Sequence, residues 1–144
     1  MAELDRARFL SLALAATGAG ALAGSASAAS GPLADQDLAV ARLAAAAELL
    51  SQDFYGQAVD AGLLKGDALK WARRIAFNED EHLAAVNGIL TGAGQPASSA
   101  DDFEFGYPDG AFASVAAFAR VAVTIETASV GIYAGAAGLF APAD

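Results

Sequence analysis

Ile75-Ala76-Phe77-Asn78-Glu79-Asp80-Glu81-His82-Leu83-Ala84-Ala85-Val86 is the stretch on which the fold turns. Read at helical spacing, Ala72, Ile75, Glu79, His82, Val86 and Ile89 form a single row, with intervals that alternate between three and four residues. An acid and an imidazole therefore interrupt an otherwise apolar face. Glu79 and His82 stand in a Glu-x-x-His pattern, and side chains at i and i+3 point the same way on a helix. The helix carrying them opens near Gly66-Asp67 and closes at Gly92.

Working outward, the same spacing recurs on both sides. Leu38, Ala41, Ala45, Glu48, Gln52, Tyr55 and Val59 mark a helix running from Asp35 or Asp37, both good N-caps, to about Val59, with Ala61-Gly62 as its stop. Phe112, Val115, Ala119, Ala122, Glu126, Ser129 and Tyr133 mark a third, expected from about Asp109 to Ala137. Each row carries an acid near its middle. Glu48-Leu49-Leu50-Ser51-Gln52-Asp53-Phe54-Tyr55 and Glu126-Thr127-Ala128-Ser129-Val130-Gly131-Ile132-Tyr133 repeat a Glu and a Tyr seven residues apart, so a helical hairpin is expected to occur twice. The second copy of Glu79 would then fall near residue 157, past Asp144, and a fourth helix is expected to be missing. The 18 residues Thr91 to Pro108 are long enough to cross a bundle from end to end.

Composition agrees with an all-α reading. The chain has 144 residues, enough for one domain. It is 56% hydrophobic and 17% charged, with mean hydropathy +0.41 and 40 alanines against 8 phenylalanines and one tryptophan, which suits closely packed helices. A net charge of -9 and a pI near 4.3 repel phosphate backbones, so nucleic acid is excluded as a partner. The absence of cysteine removes disulfides, thiolate nucleophiles and iron-sulfur clusters.

Residues 1–28 have a different character. Arg6 and Arg8 precede the apolar run Phe9 to Ala16, and a Gly/Ala/Ser stretch reaches the small-x-small site Ala26-Ser27-Ala28. This predicts an export signal helix cut before Ala29 and a periplasmic or extracellular destination, with membrane attachment only if the signal stays uncleaved. Arg6-Ala7-Arg8-Phe9-Leu10 is similar to a twin-arginine signal in which Ala7 replaces one arginine. The domain to explain is residues 29–144.

Three buried carboxylates repel one another and each loses several kcal/mol of solvation, so they need a cation or shared protons. Lys65, Lys70, Arg73 and Arg74 lie a turn or more from the Glu79 row, and Arg42 and Arg120 lie off the Glu48 and Glu126 positions. Oxygen ligands with one imidazole suit iron or manganese, with zinc possible. The metal ligands expected on this reading are Glu48, Glu79, His82 and Glu126. The alternative is a metal-free arrangement in which the acids are solvated or hydrogen-bond to Tyr55, Tyr133 and His82. Tyr55 and Tyr133 are read as core residues or as groups that orient Glu48 and Glu126; Trp71 is read as packing.

Together, Glu48 with Asp53-Phe54-Tyr55, Glu79-x-x-His82, the crossover Phe103-Glu104-Phe105 with Pro108, and Glu126 through Gly131-Ile132-Tyr133-Ala134-Gly135 resemble the ferritin-like domain of the desiccation-related protein group, often exported in bacteria. The resemblance spans roughly residues 35 to 144. It implies a ferritin-like bundle with three of its four core helices present, a long crossover between the second and third, and a domain incomplete at its C-terminus. Di-metal relatives take one Glu from the first helix, Glu-x-x-His from the second, one Glu from the third and Glu-x-x-His from the fourth. Carried over, this gives Glu48, Glu79 with His82, and Glu126, with no counterpart for the last pair. The expected function is an exported, stress- or desiccation-related protein that binds iron or manganese. The competing one is a structural or protective bundle without a metal centre. Three helices also leave an apolar groove, which a missing helix or self-association would cover.

Overall fold

The computed structural model describes residues 35–139, and the export signal expected over residues 1–28 lies outside them. Three long helices account for most of the described residues: α1, Asp35–Asp60; α2, Gly66–Gly92; and α3, Val115–Leu139. Among the described residues there are no strands. The first two helices keep the expected bounds to within a residue or two. Asp35 and Asp37 place negative charge in the first turn of α1, where the helix dipole favours it. Gly62 at φ 65° ends the turn after α1, and Gly94 at φ 76° ends the one after α2, both in the left-handed region that favours glycine.

The third helix differs from expectation. It begins at Val115 instead of about Asp109, because Pro108 to Ser114 is a series of turns. The Ala111 amide donates to the Pro108 carbonyl at 3.0 Å, Gly110 takes φ 76°, and the Ala113 amide donates to the Gly110 carbonyl at 3.0 Å. Ser114 then caps the helix, its Oγ accepting from the Ala117 amide at 3.1 Å. The connection is correspondingly longer and holds one 3-10 turn, Ala100–Asp102. The phase of α3 agrees in part: Ala122 of the expected row is buried and Phe112, Glu126, Ser129 and Tyr133 are half-buried. Phe118, Ala122, Ile125 and Ala136 are buried, whereas Val115 and Ala119 of the expected inward row are exposed.

α1 packs against both other helices, which explains why its buried set is twice as wide as one row: Ala44, Ala47, Ser51, Phe54 and Ala58 join Ala41, Ala45, Glu48 and Tyr55. The core divides into two apolar clusters. At one end Phe54, fully buried, stacks on Phe118 with centroids 5.0 Å apart and planes 5° apart, and meets Tyr55, Tyr107 and Phe112. At the other end Ala41, Ala44 and Ala45 lie against Val86 and Leu90. Between them along α1 and α2 is a polar layer of Glu48, Ser51, Glu79 and His82. Trp71, expected to pack, does so by an edge contact with Tyr55 while remaining 49% exposed.

The crossover is clamped to both helices of the hairpin. Asn87 of α2 bonds the Ser98 backbone twice, at 2.9 and 2.8 Å. Tyr107 donates to the Asp53 carboxylate at 2.6 Å and lies 3.2 Å from the Leu50 carbonyl on α1. α3 contrasts with this tight seating. Its stretch Val115–Ala136 is long and apolar enough to cross a membrane by length and composition, yet Val123 and Val130 are 66% and 61% exposed. Arg120 and Glu126 interrupt that stretch, and charges within a span are costly.

Truncating Phe54 removes the ring that four other aromatics contact. Phe54→Ala is expected to cost about 3–5 kcal/mol in urea unfolding, against less than ~1 kcal/mol for Phe103→Ala, whose exposed ring stacks on the half-buried Phe105. Equal losses would contradict this account of the core.

Candidate metal centre

The middle of the hairpin brings Glu48 of α1 and Glu79 and His82 of α2 together. One ligand atom from each lies within 4.8 Å of the others. Their convergence follows from the two rows: Glu48 is 1% and Glu79 7% exposed because each occupies an inward position of its helix. His82 Nδ1 is the common partner, 3.1 Å from Glu79 Oε2 and 3.4 Å from Glu48 Oε2. Glu79 and His82 meet through the i, i+3 relation.

Two hydroxyls from different helices complete the polar layer. Tyr133 of α3 donates to Glu48 Oε1. Tyr55 of α1 donates to Glu126 Oε1 at 2.7 Å. The repeated Glu and Tyr pairs are thus joined crosswise: the tyrosine of each helix binds the glutamate of the other. Glu126, half-buried, stands outside the close trio and is held by Tyr55. Asp80, Glu81, Asp101, Asp102 and Glu104 are all exposed, as solvated acids should be.

The electrostatics of the trio are those of shared protons. Burial pushes Glu79 up, and the neighbouring Glu48 pushes the same way against a partial offset from His82, leaving its carboxyl at about 7. Burial disfavours the charged ring of His82, but hydrogen bonds and charge from Glu48 and Glu79 outweigh it and raise the ring to about 10. For Glu48 burial again opposes ionisation, and the bonds from His82, Glu79 and Tyr133 outweigh it, holding the carboxyl below its usual range. Tyr55 and Tyr133 are raised by burial and by their carboxylate partners, so both remain protonated donors at neutral pH. Among the described residues no buried side-chain polar atom lacks a partner.

A helical hairpin with a third antiparallel helix, its centre holding two carboxylates and one imidazole projected inward from adjacent helices, is a bundle architecture in whose core metal sites are built. The comparison with family patterns agrees. Residues 36–144 match the ferritin-like domain, and the chain belongs to that family. No curated protein and no solved structure matches the chain.

The donor set fits a hard or borderline divalent cation, since two carboxylate oxygens and an imidazole nitrogen lie within 4.8 Å of one another. Without metal, stability should follow proton linkage. Raised groups contribute most below their unfolded values, 4.5 for Glu79 and 6.5 for His82, and lose that contribution as pH rises through about 7 and about 10. Glu48 acts oppositely, losing its contribution as pH falls below 4.5. The melting temperature of chelator-treated protein should therefore fall between pH 5 and 10, and Glu79→Gln should flatten the part below pH 7. A profile that climbs across this range would contradict the arrangement of charges.

Proposed function

We propose that this is an exported ferritin-like protein that binds one iron or manganese ion at Glu48, Glu79 and His82 and acts in stress or desiccation. The observation that carries the metal assignment is the meeting within 4.8 Å of ligand atoms from two buried carboxylates and the half-buried His82. The export assignment rests on the Arg6-Ala7-Arg8-Phe9-Leu10 run and the Ala26-Ser27-Ala28 site. The link to desiccation rests on the motif combination described above. In this reading Glu48 and Glu79 supply the negative charge, His82 Nδ1 the nitrogen donor, and Tyr133 fixes the orientation of Glu48 through its hydroxyl. Glu126, fixed by Tyr55, is a further carboxylate available beside the centre. When bound, such an ion supplies Lewis acidity and redox capacity to an otherwise closed-shell set of side chains. Binding must displace the protons of Glu79 and His82, so affinity rises with pH.

The open side of α3 belongs to the same proposal. Val123 and Val130 are exposed, and a Cβ added at Gly131 or Gly135 would meet nothing within 4 Å. A further helix or a second copy of the chain packs there in this reading. A second reading is favoured by one observation: His82 already bridges the two carboxylates and leaves no buried group unsatisfied, so a metal-free protective bundle would be self-consistent.

Loading with Fe(II) or Mn(II), desalting and elemental analysis separate the two. The expected result is about one ion per chain and a raised melting temperature, both lost in Glu79→Ala/His82→Ala. Equal metal content in the two proteins would leave the protective reading standing. Tyr133→Phe, which removes only the hydroxyl on Glu48, should weaken metal binding by about 10- to 100-fold while the helical content stays unchanged.

A further inference from the structure

Beside the crossover, on the seam between α1 and α3, are two adjoining open grooves of about 240 and 310 Å3 that share Leu50 and Ile125. The first is lined by Leu43, Ala47 and Leu50 of α1 and by Ala128 and Ile132 of α3, with Phe105 from the crossover over it. Its lining holds no charged side chain. The second carries one charge, Arg120, at its rim with Tyr107 and Thr124. Arg120 is exposed and forms no ion pair among the described residues. Asp53, the acid bonded to the lining residue Tyr107, is already engaged by that hydroxyl and by Gln57 at 2.8 Å. None of these residues belongs to the Glu48, Glu79 and His82 group.

We infer that this seam binds a single-chain fatty carboxylate, its tail along the apolar trough and its head on Arg120. Three features select that class. The groove under Phe105 is lined almost wholly by apolar side chains and the polar groups gather at the Arg120 end, so the hydrophobic effect favours hydrocarbon in the first and a polar head at the second. From Ile132 to Arg120 the helix advances about 18 Å, the reach of an extended long-chain tail. The lone guanidinium at one end matches a carboxylate, which it can bind through two parallel hydrogen bonds. On a chain of net charge -9 an unpaired arginine beside an apolar trough is the one local feature that favours an anionic head.

The experiment uses the full chain and palmitate below its micellar concentration, read by displacement of a fluorescent fatty acid, with native mass spectrometry for stoichiometry. One palmitate per chain is expected, with octanoate at least ~10-fold weaker because most of the buried methylenes are absent. Arg120→Gln should weaken palmitate by about tenfold and leave methyl palmitate unchanged, so that the two ligands bind this variant alike. Ala128→Phe, an exposed position in the trough, should abolish binding without altering the circular dichroism or the metal content. Absence of saturable binding, or binding indifferent to both variants, overturns the proposal. So does capture by phosphatidylglycerol vesicles without binding of free palmitate. A concentration-dependent dimer that Ala128→Phe dissolves, with no palmitate bound, overturns it in favour of a second copy as occupant.

Discussion

Two carboxylates and an imidazole share one small buried volume between α1 and α2, and the rest of the molecule accommodates that constraint. Glu48 and Glu79 cannot both be fully ionised there without a positive partner, and His82 provides it from the next turn of the same helix. The hydroxyl of Tyr133 reaches Glu48 only because α3 lies antiparallel along α1 at the correct height. The ring cluster of Phe54 with Phe118 holds that height, while the alanines at the other end let α1 and α2 approach closely with Tyr133 packed against them. The crossover, clamped by Asn87 and Tyr107, delivers α3 to that place.

Most of this architecture was legible in the residues. Lys70, Arg73 and Arg74 mark the polar face of α2, so the phase of the Glu79 and His82 row could be read directly; on the alanine-rich α1 the row through Glu48 is only part of the buried set, though both helices lie where the spacing puts them. α3 was harder because nearly all its side chains are apolar or small, and any register then looks inward. Its true buried set follows Phe118 and Ile125, the bulkiest groups, which the core of α1 can enclose. Its start was displaced because Asp109 has the chemistry of a cap, whereas Gly110 takes a left-handed turn and passes that role to Ser114.

The candidate site shows a similar division. Spacing alone aligned Glu48, Glu79 and His82, since each falls in an inward row. The repeated Glu and Tyr, seven residues apart, suggested tyrosines that orient Glu48 and Glu126 but did not say which tyrosine meets which acid. A tyrosine two turns along its own helix is too far to bond its own glutamate, and the facing helix supplies the acceptor instead. Only the antiparallel pairing of α1 with α3, a long-range fact, turns the repeat into an exchange. Trp71, read as packing, does pack, but by one edge against Tyr55 with about half of its surface exposed.

The crosswise tyrosine bonds also carry a consequence for assembly. They join residues 71 and 85 positions apart in the chain, whereas the α1–α2 hairpin closes over a five-residue turn. Local closure precedes distant closure, so the hairpin with its acid and imidazole pair forms early and α3 docks last. Two hydroxyls separated by two helical turns must then find their acceptors together. A slip of one turn loses both, which makes the last helix a vernier that accepts a single register.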